Sequence, residues 1–209
     1  MKGRHIQQFA TRHLLPHLEG FRAHGKLLYQ VPVGNILRSF IFDSSGFSAE
    51  AFYPHVFVQP LYVPRDHLDL TLGERFPGAW KFDPKREQQV AQKLLHEIFR
   101  TGLPLLRRQT GPEGIVEELR RNPALGVNCR IREVLAYSLL ILGRNDKGLD
   151  ELDKLLAMLE PLSEARSWER TLHAEIGILR EKLMRNPAEL RAMLQGIAEQ
   201  TRQKLRLPE

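Results

Sequence analysis

One cysteine in 209 residues, Cys129, excludes an intramolecular disulfide framework and a zinc site built from thiolates, both of which need cysteines in sets. Long apolar runs are also missing. No segment approaches the roughly 20 apolar residues of a membrane helix, and the basic start MKGRHIQQFATRH is not followed by the apolar stretch of a secretory leader. A reduced, cytoplasmic location without a membrane partner is the expectation. The chain has no glycine-rich phosphate loop ending in Lys-Ser or Lys-Thr and no dinucleotide fingerprint, so no cofactor is expected.

What is present is an ordinary globular composition, 42% apolar and 27% charged, with a formal net charge of +6. That charge is unevenly spread. Up to Phe42 the chain carries Lys2, Arg4, Arg12, Arg22, Lys26 and Arg38 against Glu19 alone. A basic end of this kind suits nucleic acid or an acidic protein, and equally a solvated surface.

Two periodicities divide the chain. Ile6, Phe9, Ala10, His13, Leu14 and Leu18 fall at helical spacing and predict an opening helix disturbed near Pro16. KLLYQVPV and NILRSFIFD then read as strands over 26–33 and 36–43, joined at Gly34-Asn35, a pair that suits two-residue hairpin turns. In HVFVQPLYVPRDHLDLTLGERF, Pro60 and Pro64 bracket Leu61-Tyr62-Val63. Leu68, Leu70 and Leu72 alternate with His67, Asp69 and Thr71, a strand-like period of two closed by Gly73.

From Asp83-Pro84 onward the period is helical. A long helix carries Val90, Leu94, Leu95, Ile98, Phe99, Leu105 and Leu106, with Gly102 and Pro104 expected to kink or divide it. A short helix at Ile115 to Leu119 and a stripe from Ile131 to Leu142 follow. Trp168, Leu172, Ile176, Leu179 and Leu183 form a narrow seam for helix packing. Asn186-Pro187-Ala188-Glu189 opens the last helix in the manner of a capping box. The expected class is α+β: an N-terminal helix with an antiparallel meander of about four strands over residues 1–80, then an all-helical domain over 81–209.

AYSLLILGRNDKGLDELDKLLAML, residues 136–159, resembles the helix-turn-helix core of a tetratricopeptide repeat through Ala136, Leu142-Gly143, Gly148-Leu149 and Leu152, with glycine where that family has a small alanine. The resemblance implies a surface for a protein partner. HLEGFRAHGKLLYQ followed by LRSFIF is similar in layout to small bacterial α+β domains of toxin-immunity and phage-defence systems, which implies an accessory role in such an assembly.

Several clusters hold residue types that can do chemistry. His13 and His17 are four apart, as in helical zinc sites, but Pro16 lies between them. His67 with Asp66 or Asp69 would give an imidazole and an orienting carboxylate, yet no nucleophile stands in a recognisable setting. Asp43 and Glu50 lack the nearby lysine of a metal-dependent nuclease, and Cys129 is a lone thiol at a helix entrance. These leave no catalytic or metal-binding residue to name. Arg107, Arg108, Arg120 and Arg121 are the candidate phosphate contacts, although cations also favour helix C-termini without any ligand. Phe47, Phe52, Tyr53 and Trp168 are the candidate partner contacts. The expectation is a non-catalytic subunit that binds another protein. A nucleic-acid-binding subunit is the alternative, and an unrecognised hydrolase or nuclease the third.

Overall fold

The computed structural model describes residues 3–44, 50–160 and 166–207. It is an α+β chain that divides into two compact units, one of residues 1–59, 68–110 and 206–209, the other of residues 60–67 and 111–205.

The first unit opens with α1 (Gly3–His13), which buries Ile6, Phe9 and Ala10, and Leu14 and Leu18 just beyond it are buried too. The helix ends at His13, and a single 3₁₀ turn, Leu15–His17, follows with Pro16 inside it, where a residue without an amide hydrogen breaks the α-helical ladder. Six strands then form one sheet: β1 (Phe21–His24), β2 (Leu27–Gln30), β3 (Ile36–Ser44), β4 (Ala51–Pro60), β5 (Leu72–Arg75) and β6 (Trp80–Lys81). The order is β1-β2-β3-β4-β5, and β6 also pairs with β4.

Two strand boundaries differ from the sequence expectation. The tight two-residue turn is Gly25-Lys26, between β1 and β2, where His24 pairs with Leu27. Gly34-Asn35 instead sits in a wider loop, because Tyr29 pairs with Ser39 across it. The period-two stretch 68–71 is not a strand. There the Gln59 side chain accepts the Asp69 amide at 3.1 Å, and Asp69 accepts the Thr71 amide at 2.8 Å. Side-chain acceptors thus take the bonds a strand ladder would use, and pairing with β4 begins only at Leu72, opposite Val58.

Helix α2 (Glu87–Glu97) follows a 3₁₀ turn, Pro84–Arg86, that Asp83 caps by accepting the Lys85 amide at 2.9 Å. The expected division near Gly102 is a π-helical turn, Ile98–Gly102, before α3 (Leu103–Arg108). Widening the helix ahead of Pro104 accommodates its missing amide hydrogen. Gly102 lies against the sheet core: a Cβ there would run into the Phe40 ring and stand 3.1 Å from Phe76 Cζ. Phe40 and Phe76 are both buried. Gly102→Ala is therefore expected to cost about 1 to 3 kcal/mol by overpacking, read as a lower urea midpoint with unchanged slope.

The second unit is helical, with α4 (Pro112–Arg120), α5 (Cys129–Ile141), α6 (Asn145–Leu159), α7 (Ser167–Arg185) and α8 (Pro187–Lys204). Helix α5 is buried nearly all round, from Ile131 to Leu140, as a helix apolar on every side must be. Helices α4, α6 and α8 pack around it, and α7 packs on α6 and α8. α5 ends in a Schellman motif: Gly143, at φ +72°, donates to Leu140 O and Arg144 to Leu139 O, both at 2.9 Å. The chain reverses there, so Gly148 meets Leu140 while Arg132 reaches Glu151 at 2.5 Å. A Cβ on Gly148 would stand 2.5 Å from Leu140 Cδ2. Glycine at position 148 thus lets the two helices close up.

Candidate functional site

The helical unit contains a buried polar assembly that holds the segment 60–67. Arg65 donates to both oxygens of Glu133, at 3.0 Å to Oε1 and 2.6 Å to Oε2, and its Nη1 also donates to Pro64 O at 2.7 Å. Arg130 Nη1 adds a third donor to Glu133 Oε2 at 2.9 Å. The Glu133 side chain is 1% exposed and that of Arg65 8%. Tyr62 OH and Ser138 Oγ lie 2.8 Å apart, and Ser138 Oγ donates to Val134 O at 2.7 Å. Each polar side chain of the assembly is paired. Chemically this assembly is a clasp.

Outside the clasp the unit presents two surfaces. Arg130 stacks over the Trp168 ring at 4.7 Å, and Val127 beside the start of α5 is 84% exposed. Helix α7 buries only the seam Leu172, Ile176, Leu179 and Leu183. On its other side Ile178 is 56% and Met184 63% exposed, Ala174 is exposed, and a Cβ on Gly177 would meet no atom within 4 Å. A lone exposed apolar residue is ordinary. Ile178 and Met184 share one side of α7 with Ala174, Gly177 and the exposed Glu181, and Arg180 lies 3.5 Å from Met184 Sδ.

The first unit carries a cleft of about 630 Å3 between β6 and α2. The helical spacing of Arg86, Gln89, Val90 and Lys93 turns all four toward it, and Trp80 and Lys81 come from the strand. Glu50 also lines it. Trp80 is fixed by its Nε1–H, which donates to Pro77 O at 3.0 Å, and by the Phe52 ring, 6.1 Å away between centroids. Asp83 caps its turn and lies 3.7 Å from Arg86. Among the described residues Lys81, Lys85 and Lys93 have no carboxylate partner.

The residues singled out from sequence are dispersed. Arg107 and Arg108 are exposed in the last turn of α3, in the first unit. Arg120 and Arg121 are exposed at the end of α4, in the second. Phe52 is buried between Phe42 and Trp80, a core position, and Tyr53 lies under the Arg75 guanidinium at 3.9 Å. Trp168 is half-buried under Arg130. Phe47 lies outside the described residues. His13 bonds Glu87 at 3.0 Å, on a helix that ends before His17. His67 bonds Asp66 at 2.7 Å at the surface, while Asp69 serves its own turn. Asp43 lies 3.3 Å from Lys26. Burial is the main influence on Cys129 and pushes its thiol up, away from the reactive range. Among the described residues no three metal-ligating side chains gather, and no helix is long and apolar enough to cross a membrane.

The three cleft lysines and Trp80 were not legible as a group, because each stands alone among unremarkable neighbours. The available signal was the 3-1-3 spacing of Arg86, Gln89, Val90 and Lys93 just after Trp80-Lys81. No family model matches the chain, and no curated protein and no solved structure matches it.

Proposed function

We propose that the protein is a non-catalytic adaptor subunit of a multi-protein assembly, docking a protein partner through the exposed face of α7. The observation that carries this reading is the composition of that face: Ile178 and Met184 stand more than half exposed around the open position at Gly177. Glycine inside a helix costs about 1 kcal/mol relative to alanine. No atom within 4 Å of this position offers a packing reason for it, whereas a partner's backbone lying across α7 would supply one. The helical hairpin of α5 and α6 is of the kind from which repeat proteins build partner surfaces. The resemblance of HLEGFRAHGKLLYQ and LRSFIF to small domains of defence and immunity systems is what suggests such an assembly as the setting.

The test is purification from the native host with and without Ile178→Glu plus Met184→Glu. The double variant is expected to keep its melting temperature, because both side chains are already in water, and to lose a stoichiometric partner by ten-fold or more. Gly177→Ala is expected to raise stability by up to about 1 kcal/mol while weakening the same complex. Recovery of the wild-type protein as a free monomer, or a partner retained by the double variant, defeats the proposal.

A further inference from the structure

Independently of the adaptor reading, we infer that the cleft between β6 and α2 binds single-stranded nucleic acid, with Lys81, Lys85 and Lys93 on phosphates and Trp80 stacking a base. Three features of the cleft carry this. The first is unbalanced charge: Lys81, Lys85, Arg86 and Lys93 line it against Glu50 and Asp83. Asp83 is already committed to the Lys85 amide and to Arg86. Lysines without a carboxylate partner beside a cavity form an electrostatic site for a polyanion.

The second is extent. At Trp80 the cleft meets a second recess of about 320 Å3, shared through Ala79, Trp80 and Lys93 and bounded by Pro77, His96 and Glu97, whose carboxylate is already paired with Arg100 at 2.7 Å. At Glu50, Phe82 and Pro84 it meets a third of about 390 Å3, bounded by His5, Arg12 and Glu87, whose carboxylate is already met by His13 at 3.0 Å and Arg12 at 3.5 Å. A compact phosphorylated metabolite calls for one enclosed pocket. Three linked recesses suit a polymer.

The third is the aromatic at the junction. Trp80 lines both of the first two recesses, and its ring is half-buried, held by Pro77 O and Phe52. A pre-ordered aromatic ring in a basic groove is what single-strand binders use to stack bases without sequence preference. A duplex, with its bases already stacked and paired, gives Trp80 nothing to hold. An acidic protein segment would use the lysines and leave the ring unused.

The experiment is fluorescence anisotropy on the full chain with a labelled 15-nucleotide oligo-dT and the matching oligo-rU, from 25 to 300 mM KCl. A 15-base-pair duplex and a poly-glutamate peptide serve as comparisons. Binding of the single strands is expected to weaken steeply with salt. The triple variant Lys81→Ala, Lys85→Ala, Lys93→Ala is expected to bind at least ten-fold more weakly at 100 mM KCl and to lose about 2 from the log–log salt slope, since each single-strand phosphate contact contributes roughly 0.7. The triple Lys→Arg variant is expected to bind as wild type. In a Trp168→Phe background, where Trp80 is the sole tryptophan, oligo-dT is expected to quench the fluorescence. There Trp80→Ala is expected to weaken binding roughly five-fold or more, the lower end of one base stack. The inference is overturned by absent binding at 25 mM KCl, by a triple-alanine variant that keeps the full slope, by unquenched Trp80, or by poly-glutamate binding the lysines as tightly as oligo-dT does.

Discussion

Arg65→Ala is expected to destabilise the helical unit by about 3 kcal/mol, the lower end of what removing one partner of a buried ion pair costs. The reason lies with the residue left behind. Glu133 is 1% exposed, so the carboxylate cannot recover by hydration what it loses in its two bonds from Arg65. Arg130, at 2.9 Å, is the one compensation, which keeps the expected cost at the lower end. Arg130→Ala is expected to cost less, about 1 kcal/mol, because its guanidinium is partly in water and the bidentate pair survives it. Replacing the pair together, as Arg65→Met with Glu133→Leu, is expected to recover most of the loss, since a well-packed apolar pair avoids desolvating two charges. Urea titration at pH 7, followed by circular dichroism, gives the ranking. Equal costs for Arg65→Ala and Arg130→Ala would show that the bidentate pair is not what holds segment 60–67.

How far this clasp could be anticipated shows what local pattern carries and what it does not. The seam of α7, the stripe of α1 and the caps at Asp83 and Asn186 were legible, because each is written in residues within two turns of one another. Asn186 does accept the Glu189 amide, at 3.2 Å. The clasp was not legible. Leu61-Tyr62-Val63 between two prolines reads as a strand edge, yet Tyr62 finds its partner at Ser138 and Arg65 at Glu133, 76 and 68 positions away. Within CRIREVLAYSLLI, Glu133 looks like a solvated interruption of an apolar helix, and only the returning segment makes its burial tolerable. Alternation at 68–72 misled for the opposite reason: a local pattern matched a strand, while the Gln59 and Asp69 side chains took the amides. The cleft lysines needed β6, a 3₁₀ turn and α2 to be folded before they could be seen as one surface.

Two phenols of the helical unit, Tyr62 in the clasp and Tyr137 buried on α5, stand where alkali should act on them. Stability of the helical unit is expected to fall as pH rises above about 10, with a slope approaching 2.7 kcal/mol per pH unit, from two groups at about 1.4 each. Burial, the largest influence on both, pushes the hydroxyls of Tyr62 and Tyr137 far above the usual tyrosine range. Glu113 adds to this at Tyr62, against the bond to Ser138, and Glu133 and Glu175 add to it at Tyr137. The sign follows from which state releases the proton. Below pH 10 both states keep the phenol protons, and the phenols' contribution to stability is complete. Above pH 10 the unfolded chain ionises its two phenols while the folded unit holds its own protonated, so unfolding gains free energy with each step. Tyr62→Phe is expected to cost about 1 kcal/mol at pH 8 for the lost hydrogen bond, a modest loss because Ser138 Oγ keeps its bond to Val134 O. The same substitution should remove about half of the alkaline slope, and Tyr62→Phe with Tyr137→Phe most of it. Urea midpoints between pH 8 and 11.5 for the wild type and the two variants decide the matter: a slope untouched by the double substitution would place the alkaline loss outside Tyr62 and Tyr137.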